Sequence, residues 1–480
     1  MKIAFVASEA APFAKTGGLG DVASALPAAL AAAGHEVAVI LPLYRRIKTG
    51  PDFASMRFLT SFEANLSWRR QYAGVFTARK KPRAPRFYFI DNEYYFGRDG
   101  AIYGEYDDGE RFAFFSLAAL GTLEATGFMP DVIHCNDWQT AALPVFLRTV
   151  YRGKINAATL FTIHNIEYQG RMPLSFAGDV MGLGGDDARL VEFDGCVNLM
   201  KGALVTADAV STVSRTYARE ILDPYYSHGL DGVLASVAAE GRLSGIVNGI
   251  DTRLYNPSSD PALAAGYSAG DLSGKRTDKA ALQKELGLRV DADLPLCGMV
   301  TRLASHKGID LVERVLDETA DAGVQFAILG TGEKRFEDFF REAAARRPGM
   351  IAAVIGFSGS LASKIYAASD LFLMPSKSEP CGLAQLVAMR YGAVPVVRET
   401  GGLADTVPAY DPATGEGRGF TFKSYNAHDM KDAVLRGARL FRDSRDEFER
   451  LRTNCMLADF SWRASTGDYV RLYEKIKTRG

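Results

Sequence analysis

The chain has 480 residues, 47% hydrophobic and 24% charged, which is ordinary for a globular protein long enough to form two large domains. Its 56 Lys and Arg residues balance 57 Asp and Glu residues, and this balance argues against a nucleic-acid or membrane partner. Five cysteines without a C-x-x-C pair argue against a disulfide framework or a structural zinc site and favour a cytoplasmic protein.

Strand-like apolar runs alternate with amphipathic helical stretches in the first half of the chain, as buried parallel strands with helical crossovers require. Strands are predicted over residues 3–7, 36–41, 87–90, 132–135, 159–163, 209–213 and 245–248. Helices are predicted over 19–33, 109–123 and 140–150. This half is therefore predicted to be one α/β domain with a doubly wound parallel sheet, spanning 1–249.

The alternation pauses over 250–295, where prolines, glycines and serines surround one short helical pattern at 277–286, and this segment is predicted to be a linker. It resumes with strands over 296–300, 325–329, 351–355, 371–374 and 393–397, and with helices over 309–322, 334–345, 360–368 and 384–391. A second α/β domain is expected over 296–457. A C-terminal helix within 458–480 is expected to pack back on the first domain.

A glycine-rich loop, Lys15-Thr16-Gly17-Gly18-Leu19-Gly20-Asp21, follows the first predicted strand. Its glycines let backbone N–H groups approach a ligand, and Lys15 and the next helix N-terminus add positive charge, which suits a phosphate or a sugar hydroxyl. The spacing is neither a dinucleotide fingerprint nor a P-loop. The alternative is a plain turn with a solvated lysine. Similar letters recur at Thr400-Gly401-Gly402-Leu403, so Thr400 and Gly401 are expected to form a second ligand loop.

Two cations, Arg302 and Lys307, follow the first strand of the second half. Ligands of open α/β sheets bind at the carboxyl ends of strands, and Arg and Lys there suit a pyrophosphate. Exposed surface cations without a ligand are the alternative. Phe357 follows another predicted strand, where its ring would stack on a purine or, alternatively, pack in the core.

Six segments carry a family resemblance along nearly the whole chain. They are Lys15–Val22, His134–Trp138, Thr162–Asn165, Val247–Asp251, Arg302–Gly308 and Glu379–Leu383, with Thr400–Leu403 in addition. In order and spacing the chain resembles bacterial glycogen synthases and plant starch synthases. The resemblance implies a GT-B fold, in which two Rossmann-like domains face each other across a deep cleft. It also implies transfer of glucose from ADP-glucose to the non-reducing 4-hydroxyl of an α-1,4-glucan such as glycogen, with retention of anomeric configuration.

The same resemblance assigns roles to single residues. It implies that Glu379 contacts a hydroxyl of the donor glucose, that His164 bonds its 6-hydroxyl, and that Asn248 is a further donor contact. Asp137 resembles a residue on the acceptor side. From the residues alone, Glu379 and Asp137 also suit helix-capping carboxylates.

The segment around Cys381, Gly382 and Leu383 is expected to line the donor pocket, with backbone amides that meet sugar hydroxyls or a phosphate. Val387 stands where many relatives with this fold carry a second Glu, which leaves the ribose contact open. No cofactor and no metal are expected, because the leaving diphosphate would be met by Arg302, Lys307 and helix dipoles.

Three alternatives remain at this point. A GT-B glycosyltransferase with another sugar nucleotide or acceptor would carry similar motifs. A non-catalytic glucan-binding protein would share the fold but would not need Lys15, Arg302, Lys307 and Glu379 together. An NAD-dependent oxidoreductase lacks support because the dinucleotide fingerprint is absent. Whether the chain forms a homo-oligomer is open.

Overall fold

The computed structural model describes residues 1–78 and 83–478, which form two compact α/β units. The first unit consists of Met1–Gly249 together with the chain from Trp462 onward, and the second is Ile250–Ser461. Each unit has its own buried apolar core around a central sheet. Among the described helices, none combines the length and the apolar character needed to cross a membrane.

The first unit is built on a nine-stranded sheet with the order β12-β11-β7-β6-β1-β2-β5-β4-β3, beside a small sheet with the order β8-β10-β9. Its strands are β1 (Lys2–Val6), β2 (Glu36–Pro42), β3 (Arg57–Leu66), β4 (Arg69–Ala78), β5 (Arg86–Asp91), β6 (Val132–Asn136), β7 (Ala158–Ile163), β8 (Arg171–Met172), β9 (Glu192–Phe193), β10 (Cys196–Asn198), β11 (Ala209–Thr212) and β12 (Leu243–Gly245). Strand β12 therefore ends where a strand over 245–248 was predicted to begin.

Among the residues that the structure describes, ten helices join these strands in the main segment of the first unit. They are α1 (Gly18–Ala32), α2 (Arg45–Lys48), α3 (Glu93–Phe96), α4 (Asp108–Thr126), α5 (Ala142–Arg148), α6 (Phe176–Asp179), α7 (Asp186–Arg189), α8 (Leu199–Thr206), α9 (Arg215–Glu220) and α10 (Asp231–Ala239). Helix α4 is buried over most of its length and packs under β3, where Gly121 leaves room for the ring of Phe62.

The parallel strands β1, β2, β5, β6, β7, β11 and β12 place their carboxyl ends along one edge of the sheet. The antiparallel hairpin β3–β4 extends the sheet beyond β5, and the prediction from sequence lacked it. Its two strands turn at Ser67, a non-glycine residue with φ of 56°. The hairpin is partly exposed, so its strands mix polar and apolar residues and lack the nearly continuous apolar runs of the buried parallel strands.

The second unit has a six-stranded parallel sheet with the order β15-β14-β13-β16-β17-β18. Its strands are β13 (Leu296–Val300), β14 (Gln325–Gly330), β15 (Ile351–Ile355), β16 (Leu371–Met374), β17 (Val394–Arg398) and β18 (Phe420–Phe422). Its helices are α11 (Ser273–Glu285), α12 (Ile309–Asp321), α13 (Lys334–Arg346), α14 (Gly359–Ala368), α15 (Ala384–Arg390), α16 (Gly401–Thr406), α17 (Ala427–Asp443) and α18 (Arg445–Leu457).

The segment 250–295 is not a linker, and this prediction was wrong. It belongs to the second unit, and its helix α11 buries Lys275 and Lys279 against that unit. Lys279 Nζ donates to Asp370 Oδ2 at 2.7 Å and to a backbone carbonyl oxygen, while Arg452 Nη2 donates to Asp370 Oδ1 at 2.8 Å. Buried charges need such compensation, so this ion cluster fixes a polar, proline-rich stretch in place.

The C-terminal helix α19 (Trp462–Lys477) packs in the first unit against α1 and β7. The hydroxyl of Tyr473 shares a 2.8 Å hydrogen bond with His134 Nδ1, and both side chains are fully buried. Asp131 accepts from the backbone N of Lys2 at 2.7 Å and pairs with Lys477 Nζ at 2.8 Å. The first strand and the last helix are thus tied to one carboxylate.

Candidate functional site

In the first unit, the predicted site residues follow the carboxyl ends of β1, β6, β7 and β12. In the second unit, they follow β13, β15, β16 and β17. Because parallel strands end at the same edge, loops that are far apart in sequence meet there.

The glycine-rich loop after β1 is organised by a buried carboxylate. Glu9 accepts hydrogen bonds from Thr16 N at 2.6 Å, from Thr16 Oγ1 at 2.7 Å and from Gly20 N at 3.0 Å. Burial raises the pKa of Glu9, and the bonds from Thr16, Gly20 and Gly17 oppose that rise. The expectation that these amides are open to a ligand needs correction, because Glu9 already occupies several of them.

Lys15 is not a freely solvated lysine, because its Nζ lies 2.6 Å from Asp21 Oδ1. The aliphatic part of Lys15 packs where a Cβ on Gly20 would lie, only 2.9 Å from the Lys15 Cγ. Gly17 stands at the N-cap of α1 and Gly18 is the first helical residue. The loop therefore holds its lysine in a defined position at the helix start.

Asp137 adopts a backbone conformation that non-glycine residues rarely take, with φ of 58° and ψ of 177°. It makes no capping hydrogen bond to the turn that follows it, so the capping interpretation is wrong. Its Oδ1 instead accepts from the backbone N of His164 at 2.7 Å and of Asn165 at 3.3 Å. Burial raises the pKa of this carboxyl to about 7, although both amides act in the opposite direction.

His164, directly after β7, is held by Asn136 at the end of β6. His164 Nε2 lies 2.9 Å from Asn136 Oδ1. Burial lowers the pKa of His164 to about 3, so the imidazole is neutral at neutral pH. His164 and Asp137 are thus brought together as the motifs predicted, by loops that follow two paired strands.

Asn248 is almost fully buried, three residues beyond the end of β12. Its Oδ1 has no hydrogen-bond partner among the described residues. A buried amide oxygen without a partner is costly and is often satisfied by a ligand or water. The position is compatible with the predicted donor contact, which stays a prediction.

In the second unit, Lys307 and Glu379 form an ion pair. Lys307 Nζ lies 2.7 Å from Glu379 Oε2, and Ser376 Oγ donates to the same oxygen at 2.9 Å. The two loops follow β13 and β16, which pair with each other. Lys307 is therefore no solvated surface cation, whereas the exposed side chain of Arg302 has no ion-pair partner within 1–78 and 83–478.

The second glycine loop packs directly on the backbone of the Glu379 segment. Gly402 N donates to Glu379 O at 3.0 Å. A Cβ on Gly401 would lie 1.9 Å from that same oxygen, and Gly401 has a φ of 46°. Thr400 is the N-cap residue of α16. This loop thus packs against the backbone of the Glu379 segment and holds it in place.

The residues after Glu379 form an extended turn before α15. Cys381 is buried, and Gly382 has a φ of 71° that favours glycine. Gln385 Nε2 donates to the carbonyl oxygens of Cys381 at 3.0 Å and of Gly382 at 2.9 Å, which fixes the turn, and Leu383 is the N-cap residue of α15. Val387 is buried inside α15, so its side chain belongs to the core.

Phe357 is 92% exposed after β15, so the core-packing alternative is wrong for this ring. An exposed phenylalanine at the carboxyl edge of a sheet is available for stacking.

Two residues of the site were missed by the sequence reasoning. Glu9 acts through hydrogen bonds within the connection between β1 and α1, whereas Asn136 at the end of β6 contacts His164 after β7. A signal existed for both, because each is a polar residue within or just after an apolar strand.

Comparisons with known proteins find relatives of both units. A family model described as starch synthase catalytic domain matches residues 2–236, and one described as glycosyl transferases group 1 matches 284–447. A glycogen synthase from Exiguobacterium sibiricum is 48% identical, with 99% of each chain covered. One from Bacillus subtilis is 46% identical, with 100% of this chain and 99% of the relative covered.

Solved structures extend the comparison. The catalytic domain of starch synthase IV from Arabidopsis thaliana, bound to ADP and acarbose, is 36% identical with a TM-score of 0.91, and 99% of each chain is covered. Sucrose-phosphate synthase from Thermosynechococcus elongatus is 19% identical with a TM-score of 0.63 over 100% of each chain, which is a likeness of fold alone.

The two units, with polar loops at the carboxyl edges of their parallel sheets, define a glycosyltransferase of the GT-B fold. Matches over nearly the whole length make the assignment more specific. The chain belongs to the family of bacterial glycogen synthases and plant starch synthases.

Proposed function

We propose that the protein transfers glucose from ADP-glucose to the non-reducing 4-hydroxyl of an α-1,4-glucan, with retention of configuration at the anomeric carbon. The observation that carries this proposal is the Lys307–Glu379 pair together with the unpaired Arg302 in the same loop after β13, in a chain of this family. ADP is favoured over UDP as the nucleotide because the starch synthase IV relative was solved with ADP.

We propose that Arg302 and Lys307 bind the diphosphate of the donor. Arg302 offers a planar guanidinium for bidentate contact with phosphate oxygens, and no side chain of the described chain competes for it. Lys307 is held in position by Glu379. As the diphosphate leaves, negative charge grows on it, and prepositioned cations then stabilise the transition state more than the ground state.

The bond from the anomeric carbon to the phosphate oxygen breaks, and the acceptor 4-oxygen bonds to that carbon on the same face. The acceptor proton passes to the departing phosphate oxygen, which yields ADP and a glucan longer by one glucose. A covalent glucosyl intermediate has weak support, because Glu379 is ion-paired and Asp137 Oδ1 is bound by two amides. A trapped glucosyl adduct on either carboxylate would contradict this route.

We propose that the reaction uses neither a metal nor a cofactor, because Arg302 and Lys307 supply the charge that a divalent ion would provide. Undiminished transfer after prolonged chelation with EDTA is the expected result. We also propose a cytoplasmic location, which fits five cysteines that form no disulfide.

The deciding experiment compares glucosyl transfer from ADP-glucose and from UDP-glucose onto glycogen. We expect faster transfer from ADP-glucose, and new linkages that a strictly α-1,4-specific amylase removes. Arg302→Ala serves as the inactive reference, because it removes the unpaired guanidinium. Preference for UDP-glucose would overturn the donor assignment, and no transfer from either would overturn the function.

A further inference from the structure

We propose that Asn136 is a positioning residue that fixes the tautomer of His164, so that Nε2 carries the proton and Nδ1 offers a lone pair to the substrate. Asn136 is fully buried at the end of β6, and its Oδ1 lies 2.9 Å from His164 Nε2. Asn136 lies within the His134–Trp138 motif, but the resemblance assigned a role only to its neighbour Asp137.

The orientation of the Asn136 amide follows from its other contacts. Its Nδ2 lies 3.0 Å from the carbonyl oxygen of Val6 on β1 and 3.3 Å from that of His134 on its own strand. Carbonyl oxygens only accept hydrogen bonds, so the NH2 group must face them. A flipped amide would place its oxygen against two acceptors and leave the buried NH2 unused.

The oxygen of Asn136 therefore faces His164, and an amide oxygen can only accept. His164 Nε2 must then donate, because an unprotonated Nε2 would set two lone pairs against each other at 2.9 Å. In the neutral imidazole, Nδ1 is left without a proton. That nitrogen makes no hydrogen bond to any residue in the described parts of the chain.

The backbone of His164 is fixed independently. Asp137 Oδ1 accepts from His164 N at 2.7 Å, so Asp137 sets the path of the chain while Asn136 sets the ring. A ring held at both points presents Nδ1 as an acceptor for a hydroxyl group. This last step rests on the proposed function, in which the hydroxyl belongs to a sugar.

The direct test is 15N NMR of the full-length protein with labelled histidine. The chain has six histidines, and the spectrum of His164→Gln identifies the signals of His164 by their loss. Near neutral pH we expect His164 Nε2 to be protonated and Nδ1 to be unprotonated before any substrate is added. A protonated Nδ1 would overturn the proposal. This readout is independent of transferase activity, so it stands apart from a failure of the proposed function.

Two variants separate positioning from general packing. Asn136→Leu removes the acceptor, and we expect a mixture of tautomers at His164 and a fall in kcat of about 100-fold, with acceptor KM changed less than about threefold. Asn136→Asp keeps an acceptor oxygen and is expected to keep Nε2 protonated. An unchanged His164 spectrum in Asn136→Leu would contradict the proposal. Should that variant not fold, the wild-type and Asn136→Asp spectra decide.

Thr162→Val is the matched control. Thr162 Oγ1 lies 2.6 Å from His134 Nε2 and 2.6 Å from Ser211 Oγ, so this substitution removes buried hydrogen bonds that link β7 to β6 and to β11, and neither bond involves the ring of His164. We expect altered signals from His134, unaltered signals from His164, and kcat within about threefold of wild type. Loss of the His164 tautomer in Thr162→Val would show that any disturbance of these strands suffices, and the proposal would fail.

Discussion

Lys307 Nζ and Glu379 Oε2 lie 2.7 Å apart, and both side chains are largely buried. Their loops are 72 residues apart in sequence but follow neighbouring strands of one sheet. Removing one partner of a buried ion pair is strongly destabilising, although the intact pair contributes little to the stability of the fold. We therefore propose that this pair holds the ammonium group of Lys307 in position to bind a diphosphate.

Lys307→Ala is expected to lower kcat by about 100- to 1,000-fold, because it removes a cation from the proposed donor site and leaves the Glu379 carboxylate uncompensated. Steady-state rates with ADP-glucose and glycogen measure the effect. Lys364→Ala is the control, since its ion pair with Glu285 lies on the surface of the same unit. Near-normal turnover in Lys307→Ala would remove Lys307 from the donor site.

Asp137→Asn is expected to change how stability depends on pH. Burial raises the pKa of Asp137 from 3.8 to about 7 in the folded chain. Between pH 4 and pH 7, which are about the unfolded and folded pKa values, the folded chain binds more protons than the unfolded chain at this residue. The contribution of Asp137 to the free energy of unfolding therefore falls as pH rises through this window.

Asn at 137 does not titrate and keeps an oxygen for the His164 amide. The melting temperature of Asp137→Asn minus that of wild type should thus increase from pH 4 to pH 8 and level off above about pH 7. Thermal unfolding of both proteins at equal ionic strength measures it. A difference that is constant over this range would contradict the raised pKa.

Glu9→Gln is expected to loosen the glycine-rich loop. Glu9 accepts three hydrogen bonds from Thr16 and Gly20, whereas Gln has one acceptor oxygen and would turn an NH2 group toward donors. We expect a loss of about 1–3 kcal/mol in the free energy of unfolding and faster hydrogen exchange at Thr16 and Gly20. Glu63→Gln, at a half-exposed position, is the control and should behave like wild type.

Gly401→Ala is expected to displace the Glu379 segment, because the added Cβ would lie 1.9 Å from Glu379 O. We expect kcat to fall by more than about 100-fold. Gly415→Ala is the matched control: Gly415 also has a positive φ, of 73°, but nothing lies within 4 Å of its added Cβ. It should cost about 1–2 kcal/mol of stability and leave kcat unchanged. Equal activity in the two variants would show that the contact with Glu379 is unimportant.

Phe357→Ala is expected to raise the KM for ADP-glucose about tenfold with little effect on kcat, if the ring stacks on the nucleobase. Stability should not change, since the ring is 92% exposed. Phe357→Trp should retain the wild-type KM, because it keeps an aromatic face. Val290→Ala, another exposed apolar residue of the second unit, is the control. An unchanged KM in Phe357→Ala would exclude stacking.

The sequence predicted the two sheets well because buried parallel strands are nearly continuous apolar runs, and residues after such strands must meet at one edge. His164 and Asp137 could be placed side by side on that ground. The hairpin β3–β4 escaped prediction because its strands are only partly buried. Helix α17 was missed despite apolar residues at helical spacing, from Met430 to Phe441.

The error over 250–295 has a different cause. Its composition is typical of a linker, and only tertiary contacts reveal that Lys275 and Lys279 are buried. Likewise, the roles of Glu9 and Asn136 depend on how their side chains are oriented toward Gly20 and His164, which residue spacing does not reveal. The motifs located the two edges of the site, but the hydrogen bonds at these edges could be identified only from the structure.

The position of α19 also bears on synthesis. The first unit needs Tyr469 and Tyr473, both fully buried in its core, yet these residues are translated after the whole of Ile250–Ser461. On the ribosome, the second unit can therefore complete its fold while the first unit still lacks helix α19. The face of the first unit that this helix covers is then exposed. Nascent chains stalled before Trp462 should bind chaperones through that uncovered face, and release should follow once the last helix emerges.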